Sequence, residues 1–421
     1  MKILKKLKWL YPGIKIKRWI LLGASGIGLV IFGAARFIGD KAVWYKAADA
    51  LVILVGIAVV VSGVRSMVQS FISVFLPYPG EELVDIVYKK RYLEKGPKIV
   101  AIGGGHGLST LLMGLKEYTT NLIAVVTVAD SGGSTGRLRE EFDVLAPGDI
   151  RNCIVSLADA PSLMGELFQF RFKKDSELKG HNFGNLFITA MTQLTGDFKK
   201  AVEESSKVLA IRGKVIPSTL NNVSLVAEYQ DGMTVVGEAK IPEKETPIKR
   251  VYLKPVHPEA QEKISPTPEA IEAIKEAEII VIGPGSLYTS ILPNLVIKEI
   301  TKAIIESPAI KVYVCNVMTQ HGETDKYRAS DHLKALIKHT HPKIVNYCIV
   351  NNKIPKTGLL EKYRQENAFP TEADVAQIRR RGYKAIGGNI INTADFIRHD
   401  PHKLARIIMN AFRREAIRRE F

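Results

Sequence analysis

Five short segments carry the residue types that hold or transfer phosphate. The first is Gly103-Gly104-Gly105-His106-Gly107, which leaves an apolar run and leads directly into Leu108. Glycines at the start of a helix let backbone N–H groups approach an anion. Leu108 replaces the third glycine of the dinucleotide pattern, and the P-loop lysine is missing. Glycines that only permit a tight turn are therefore the competing account. The second segment follows Asp130 and reads Ser131-Gly132-Gly133-Ser134-Thr135-Gly136-Arg137-Leu138-Arg139. Hydroxyls, glycines and arginines after a strand suit an anion at the carboxyl edge of a parallel sheet. Asp130 is the candidate catalytic residue: it could grip a ribose hydroxyl, hold a metal or position a nucleophile, or merely cap the turn.

The third segment is Pro147-Gly148-Asp149-Ile150-Arg151-Asn152. Asp149 reads equally well as a helix N-cap. Arg151, in the first turn where the helix dipole disfavours a cation, points to an anionic partner. The fourth, Gly180-His181-Asn182-Phe183-Gly184-Asn185, offers amides and an imidazole before an apolar helix. A single loop histidine is more often structural than catalytic. The fifth, Gly283-Pro284-Gly285-Ser286-Leu287-Tyr288, again follows an apolar run. Asn182, Asn185, Ser286 and Tyr288 are candidates for sugar or uridine contacts. Arg137 or Arg151 would counter the phosphate charge.

These segments must be positioned by the elements between them. Apolar runs at Lys98–Ile102, Asn121–Ala129, Glu278–Ile282, Ile310–Asn316 and Lys343–Val350 read as buried strands. Helical periodicity separates them, over Leu108–Tyr118, from Pro147 to Asp159 and over Leu186–Leu194. Strands alternating with helices predict an α/β fold with a mostly parallel sheet, its loops converging on one edge. Val223–Tyr229 and Thr234–Lys240, joined through Asp231-Gly232, predict a hairpin with a type I′ turn in a small antiparallel insertion. His399–Phe421 carries Leu404, Ile407, Ile408 and Ala411 at helical spacing among arginines, and should pack on the sheet or on a partner subunit.

Ahead of all this lie two long apolar runs, Trp19–Phe37 and Ala50–Val64, the latter continuing past Arg65 to Phe75. Each approaches the roughly 20 residues that cross a bilayer. Lys2, Lys5, Lys6, Lys8, Lys15, Lys17 and Arg18 precede the first run, and Lys89-Lys90-Arg91 follow the second. The positive-inside rule then predicts a two-helix transmembrane hairpin in the cytoplasmic membrane, with both ends in the cytosol. The expected organisation is a basic N-terminus and hairpin over 1–76, a linker helix over 77–97 and the α/β domain over 98–421. The chain has 421 residues, 46% of them hydrophobic, and a net charge of +16. Basic residues concentrate at the two ends and do not interleave with aromatics, which argues against nucleic-acid binding. Three widely spaced cysteines predict reduced thiols.

Taken together, the segments Ile102–Ser109, Val128–Arg139, Pro147–Asn152, Gly180–Asn185 and Gly283–Tyr288 resemble the gluconeogenesis factor family, a relative of 2-phospho-L-lactate transferase. The likeness spans about 98–392 and leaves the hairpin outside the common core. The resemblance implies a Rossmann-like fold and binding of a UDP-sugar such as UDP-N-acetylglucosamine. It also implies a role in cell shape, envelope synthesis and growth on gluconeogenic carbon, and a homo-oligomer is expected. For the transferase branch it implies phosphoryl-lactyl transfer from a guanylylated donor. The family's Asp-Asp after the second strand is Asp130-Ser131 here, which weakens metal catalysis at that point. No cofactor is expected, with Mg2+ entering only if the protein is catalytic. The leading reading is thus a non-catalytic regulator, with a transferase and then a dinucleotide oxidoreductase behind it.

Overall fold

The computed structural model describes residues 16–38, 43–75, 92–159, 162–173, 175–257, 263–355, 357–393 and 396–420. The chain divides into two compact units, Met1–Lys90 and Arg91–Phe421. The basic stretch before Ile16 and most of the expected linker helix lie outside the described residues.

In the first unit, helices α1 (Ile16–Phe37) and α2 (Val43–Phe75) pack closely. Glycines make this approach possible: a Cβ at Gly26 would stand 2.8 Å from the Val60 backbone nitrogen, and one at Gly56 2.9 Å from that of Val30. Such small-residue contacts are how helices associate where burial of apolar surface supplies no drive. Outward-facing Leu21, Ile31, Leu51 and Leu54 are exposed. Both helices are long and apolar enough to cross a membrane. Arg36, near the end of α1, pairs its Nε with Asp49 Oδ1 at 3.1 Å.

The second unit is built on seven parallel strands. They are β1 (Ile99–Gly103), β2 (Leu122–Val126), β3 (Lys214–Pro217), β7 (Ile279–Ile282), β8 (Ile310–Val314), β9 (Tyr347–Asn351) and β10 (Lys384–Gly388), in the order β10-β9-β8-β7-β1-β2-β3. The central strands are aliphatic throughout and fully buried, as a sheet covered on both faces requires. From β1 the chain winds outward through β2 to β3, then returns to β7 and winds the other way. Right-handed crossovers therefore set the helices of the two halves on opposite faces. The reversal falls between β1 and β7, the point where ligands gather in open α/β sheets.

Five of the seven strands were legible. The two outer ones, β3 and β10, end in Pro217 and in Gly387-Gly388, which blur the strand pattern. The insertion is a three-stranded antiparallel sheet of β4 (Val223–Tyr229), β5 (Thr234–Val236) and β6 (Ile248–Pro255), one strand more than the expected hairpin. Its turn is not type I′. Gly232 N–H donates to Tyr229 O at 3.1 Å, so the central pair is Gln230 and Asp231, neither of which has positive φ, and Gly232 follows them at φ +85°. The three cysteines, Cys153, Cys315 and Cys348, are all buried.

Candidate functional site

Strand β1 hands over to a helix with almost no intervening loop. Helix α3 (Gly105–Leu115) starts two residues after β1, earlier than the periodicity of Leu108 onward suggests. Helices α4 (Gly133–Phe142) and α5 (Pro147–Leu157) follow β2. The starts of α3, α4 and α5 converge on one cleft of about 590 Å3 at the carboxyl edge of the sheet. The first turns of α3 and α4 hold no acidic residue of their own, and apart from the Gly105 N–H, which the Asp149 carboxyl takes, their N–H groups suit an anion.

Backbone crowding explains the glycines individually. A Cβ on Gly104 would lie 2.4 Å from Asp149 Oδ2, and one on Gly107 2.5 Å from the Pro284 carbonyl. Gly148 is pressed in the same way, since a Cβ there would stand 2.4 Å from Thr135 Oγ1 and 2.6 Å from Asp130 Oδ2. The loops after β1 and β7 thus touch through their backbones, while Gly104 and Gly148 take neighbouring side chains against theirs, approaches that larger residues would force apart.

Most of the sequence candidates meet in this cleft. Gly104, Gly105, His106, Gly107, Asp130, Gly132, Gly133, Ser134, Thr135, Arg151, Asn185, Gly285 and Ser286 all line it. Four others do not. Gly103 ends β1, its carbonyl accepting from Asn294 Nδ2 at 3.1 Å. Arg137 projects from the exposed side of α4, and its Nη2 donates to Lys179 O at 2.8 Å. Asn182 caps the helix Phe183–Thr195, accepting from Asn185 N–H at 3.2 Å. Tyr288 is buried behind the cleft with its hydroxyl 2.9 Å from that of Tyr327. His181 sits 3.4 Å from Ser134 Oγ in a supporting position.

Arg151 is the decisive side chain. It is only 8% exposed, and its Nε and Nη1 have no hydrogen-bond partner in the protein, while Nη2 donates to Asn152 Oδ1 at 2.6 Å. Burial, and then the neighbouring charge of Arg171, pushes its pKa down to about 10. A buried guanidinium with unspent donors demands an anion. Asn185 supports the same wall, its Nδ2 reaching Ser134 Oγ at 3.3 Å and Thr135 Oγ1 at 3.4 Å.

Opposite stand the carboxyl groups of Asp130, Asp149 and Glu238, the last of which the sequence did not point to. Asp130 Oδ1 accepts from Gly132 N–H at 2.8 Å, the turn-capping role. Asp149 is not an N-cap, because Pro147 starts α5 early and Ala146 takes that position. Its carboxyl sits half-buried in the cleft and accepts from the Gly105 N–H. Burial, reinforced by Asp130, raises its pKa. Glu238 arrives from the antiparallel insertion, which is fastened to the loop after β2 by Ala239 N–H donating to Ser131 Oγ at 3.1 Å. Burial first, and then the charges of Asp130 and Glu323, lift Glu238 to about 7. Among the described residues no group of three or more His, Cys, Asp or Glu is assembled as a metal site. Asp130 and Asp149 are nevertheless the pair that would meet a hydrated divalent cation carried by a phosphate.

A second cleft, about 480 Å3, continues from the first across His106, Gly107, Asn316 and Gln320. Its far end holds Tyr363, Phe396, Arg398 and His399. The Arg398 guanidinium lies 4.9 Å over the Phe396 ring, and Tyr363 Oη accepts from Ile397 N–H at 2.9 Å. His399 is buried with neither ring nitrogen partnered. No sequence pattern marks this annex, since its residues are isolated and far from the glycine loops.

The profile of the family described as 2-phospho-L-lactate transferase CofD matches residues 99–391. A relative from Clostridium acetobutylicum, named "Putative gluconeogenesis factor", is 43% identical over 96% of this chain and 92% of its own length. The "Gluconeogenesis factor" of Bacillus subtilis is 49% identical, over 75% of this chain and 98% of its own. A crystal structure of a Bacillus halodurans protein superposes with a TM-score of 0.72 at 45% identity, covering 75% of this chain and 100% of that one. The Bacillus proteins are thus too short to include a counterpart of the first unit. The chain belongs to the gluconeogenesis factors of the 2-phospho-L-lactate transferase family.

Proposed function

We propose that the second unit is a regulatory module that binds a nucleotide sugar of the UDP-N-acetylglucosamine type. The observation that carries this reading is Arg151, buried with unspent donors where three helix N-termini meet. A diphosphate suits that wall, with N–H groups of the α3 and α4 starts on one side and the guanidinium on the other. The annex supports a ligand longer than a phosphate, because Phe396 and Tyr363 offer ring faces for a base. The apolar hairpin supports anchorage at the cytoplasmic face of the membrane, with a role in envelope synthesis and carbon partitioning. Calorimetry on the purified chain with UDP-N-acetylglucosamine, UDP-glucose, GDP and NAD tests the reading. Selective UDP-sugar binding without turnover is expected, and no UDP-sugar heat at millimolar ligand would overturn it.

The second reading is a phosphoryl transferase, which Asp149 keeps alive by restoring a second carboxylate beside Asp130. Mg2+-dependent product formation from a guanylylated donor and a deazaflavin acceptor would establish it. Absence of product across a metal titration would remove it.

A further inference from the structure

All seven sheet strands run in one direction, so their ends sort into two opposite edges. The ligand cleft occupies the finishing edge. The starting edge, on the side of β8 to β10, has a different chemistry. There a cleft of about 500 Å3 is bordered by Lys343, Arg381 and Lys384, with Lys311 beneath it donating to Ile305 O at 3.1 Å. Arg379 and Arg380 are exposed beside it at the end of the helix Val375–Arg380. A helix C-terminus welcomes basic residues, and Arg379 also donates to Ala385 O at 3.0 Å. That accounts for Arg379 but not for Lys343, Arg381 or what lies alongside.

Alongside is the C-terminal helix, Pro401–Glu420. Leu404, Ile408 and Ala411 are buried in the domain, as expected from their spacing. The outward side presents exposed Arg406, Arg413, Arg414 and Arg418, with Ile417 56% exposed among them. Glu415 is turned inward, where Lys384 Nζ donates to it at 2.8 Å and the Tyr347 hydroxyl also donates to it. Of the helix's two acids, Glu415 is therefore consumed inside and Glu420 is its last residue, so the exposed charges from Arg406 to Arg418 are arginines.

A second observation says what this charge faces. The chain enters the domain at the same edge, through residues 92–98 into the start of β1. Residues 76–91, which join it to the apolar hairpin, span at most about 55 Å even when fully extended. We infer that the basic starting edge is a docking surface for an anionic lipid bilayer. The inference rests on the hairpin being a membrane anchor. Each lysine or arginine near an anionic leaflet adds attraction that fades within a Debye length. The arginine row and Ile417 then lie against headgroups, and the ligand cleft opens toward the solute on the opposite edge.

The test uses residues 92–421, which correspond to relatives that exist without the first unit. The fragment is sedimented with phosphatidylcholine vesicles and with vesicles containing 30% phosphatidylglycerol. Binding to the anionic vesicles alone is expected, lost between low and high salt. Lys343→Glu/Arg380→Glu/Arg381→Glu should lower partition at least about tenfold. Lys240→Glu/Lys254→Glu, on the insertion, should leave it unchanged. Equal partition to neutral vesicles, no binding to either, or an undiminished triple variant would each overturn the inference. Because the fragment lacks the hairpin, failure here is separate from failure of the anchor, which fractionation of the whole chain reports. Salt dependence of the unaltered fragment decides the matter should the triple variant misfold.

Discussion

Arg151 holds two unpartnered donors in a dry wall, so its replacement measures how much a ligand phosphate uses them. Charge-assisted hydrogen bonds are worth about 1.5–3 kcal/mol each. Arg151→Ala should therefore weaken ligand binding by at least about tenfold in calorimetry, and Arg151→Lys should restore only part of it. Arg137→Ala, at the exposed position, should leave affinity unchanged. Acidity acts on the facing wall. Glu238 titrates near 7 in the fold, against an ordinary 4.5. A raised carboxyl pKa means the folded state favours the proton. Stability from that preference is full below about 4.5 and lost as pH rises toward 7. Above that, the ionised carboxylate also repels an anionic ligand. Affinity should fall between pH 6 and pH 8, and Glu238→Gln should flatten that fall while raising the melting temperature at pH 8 only. Sequence had reason to point at Arg151, a cation in a helix's first turn. It had none to point at Glu238, which is brought to Asp130 by tertiary packing of the insertion.

At the scale of elements, the convergence of α3, α4 and α5 depends on backbone-to-side-chain approaches that only glycine permits. Gly104→Ala would drive a methyl into Asp149 Oδ2, 2.4 Å away, and should lower both melting temperature and ligand affinity. Gly165→Ala is the contrast. It lies in the helix Ser162–Gln169 with nothing within 4 Å of its Cβ position. Removing a helical glycine there should stabilise by about 0.5–1 kcal/mol in denaturant titration. The strand–glycine–helix rhythm was legible because central strands are uniformly aliphatic and their turns glycine-marked. Asp149 was misread for a local reason, since an acid just inside a helix resembles a cap and Pro147 had already shifted the start. Arg137 and Arg151 looked equivalent until helix phase turned one outward and the other into the cleft.

For the whole molecule, the two units predict separable behaviour. The complete chain should stay in the membrane pellet through a high-salt wash and leave it only with detergent. Residues 92–421 should be released by salt alone, and still bind ligand with the affinity of the full chain. A full chain freed by salt would mean that α1 and α2 do not span the bilayer. The hairpin was legible from length and apolarity. The annex beside the glycine loops was not, because Tyr363, Phe396, Arg398 and His399 meet only through the fold.

The burial of Cys153, Cys315 and Cys348 has a practical corollary for oxidation chemistry. Thiolate is the reactive form, and burial pushes all three thiols upward in pKa. The native protein should be inert to maleimides and disulfide reagents, while the denatured chain yields all three thiols. Labelling rate at low denaturant then becomes a clock for opening of the sheet. Ligand that closes the cleft between β1 and β7 should slow the clock at Cys153 on α5. A single cysteine introduced on the surface would carry a probe without competition from the native ones.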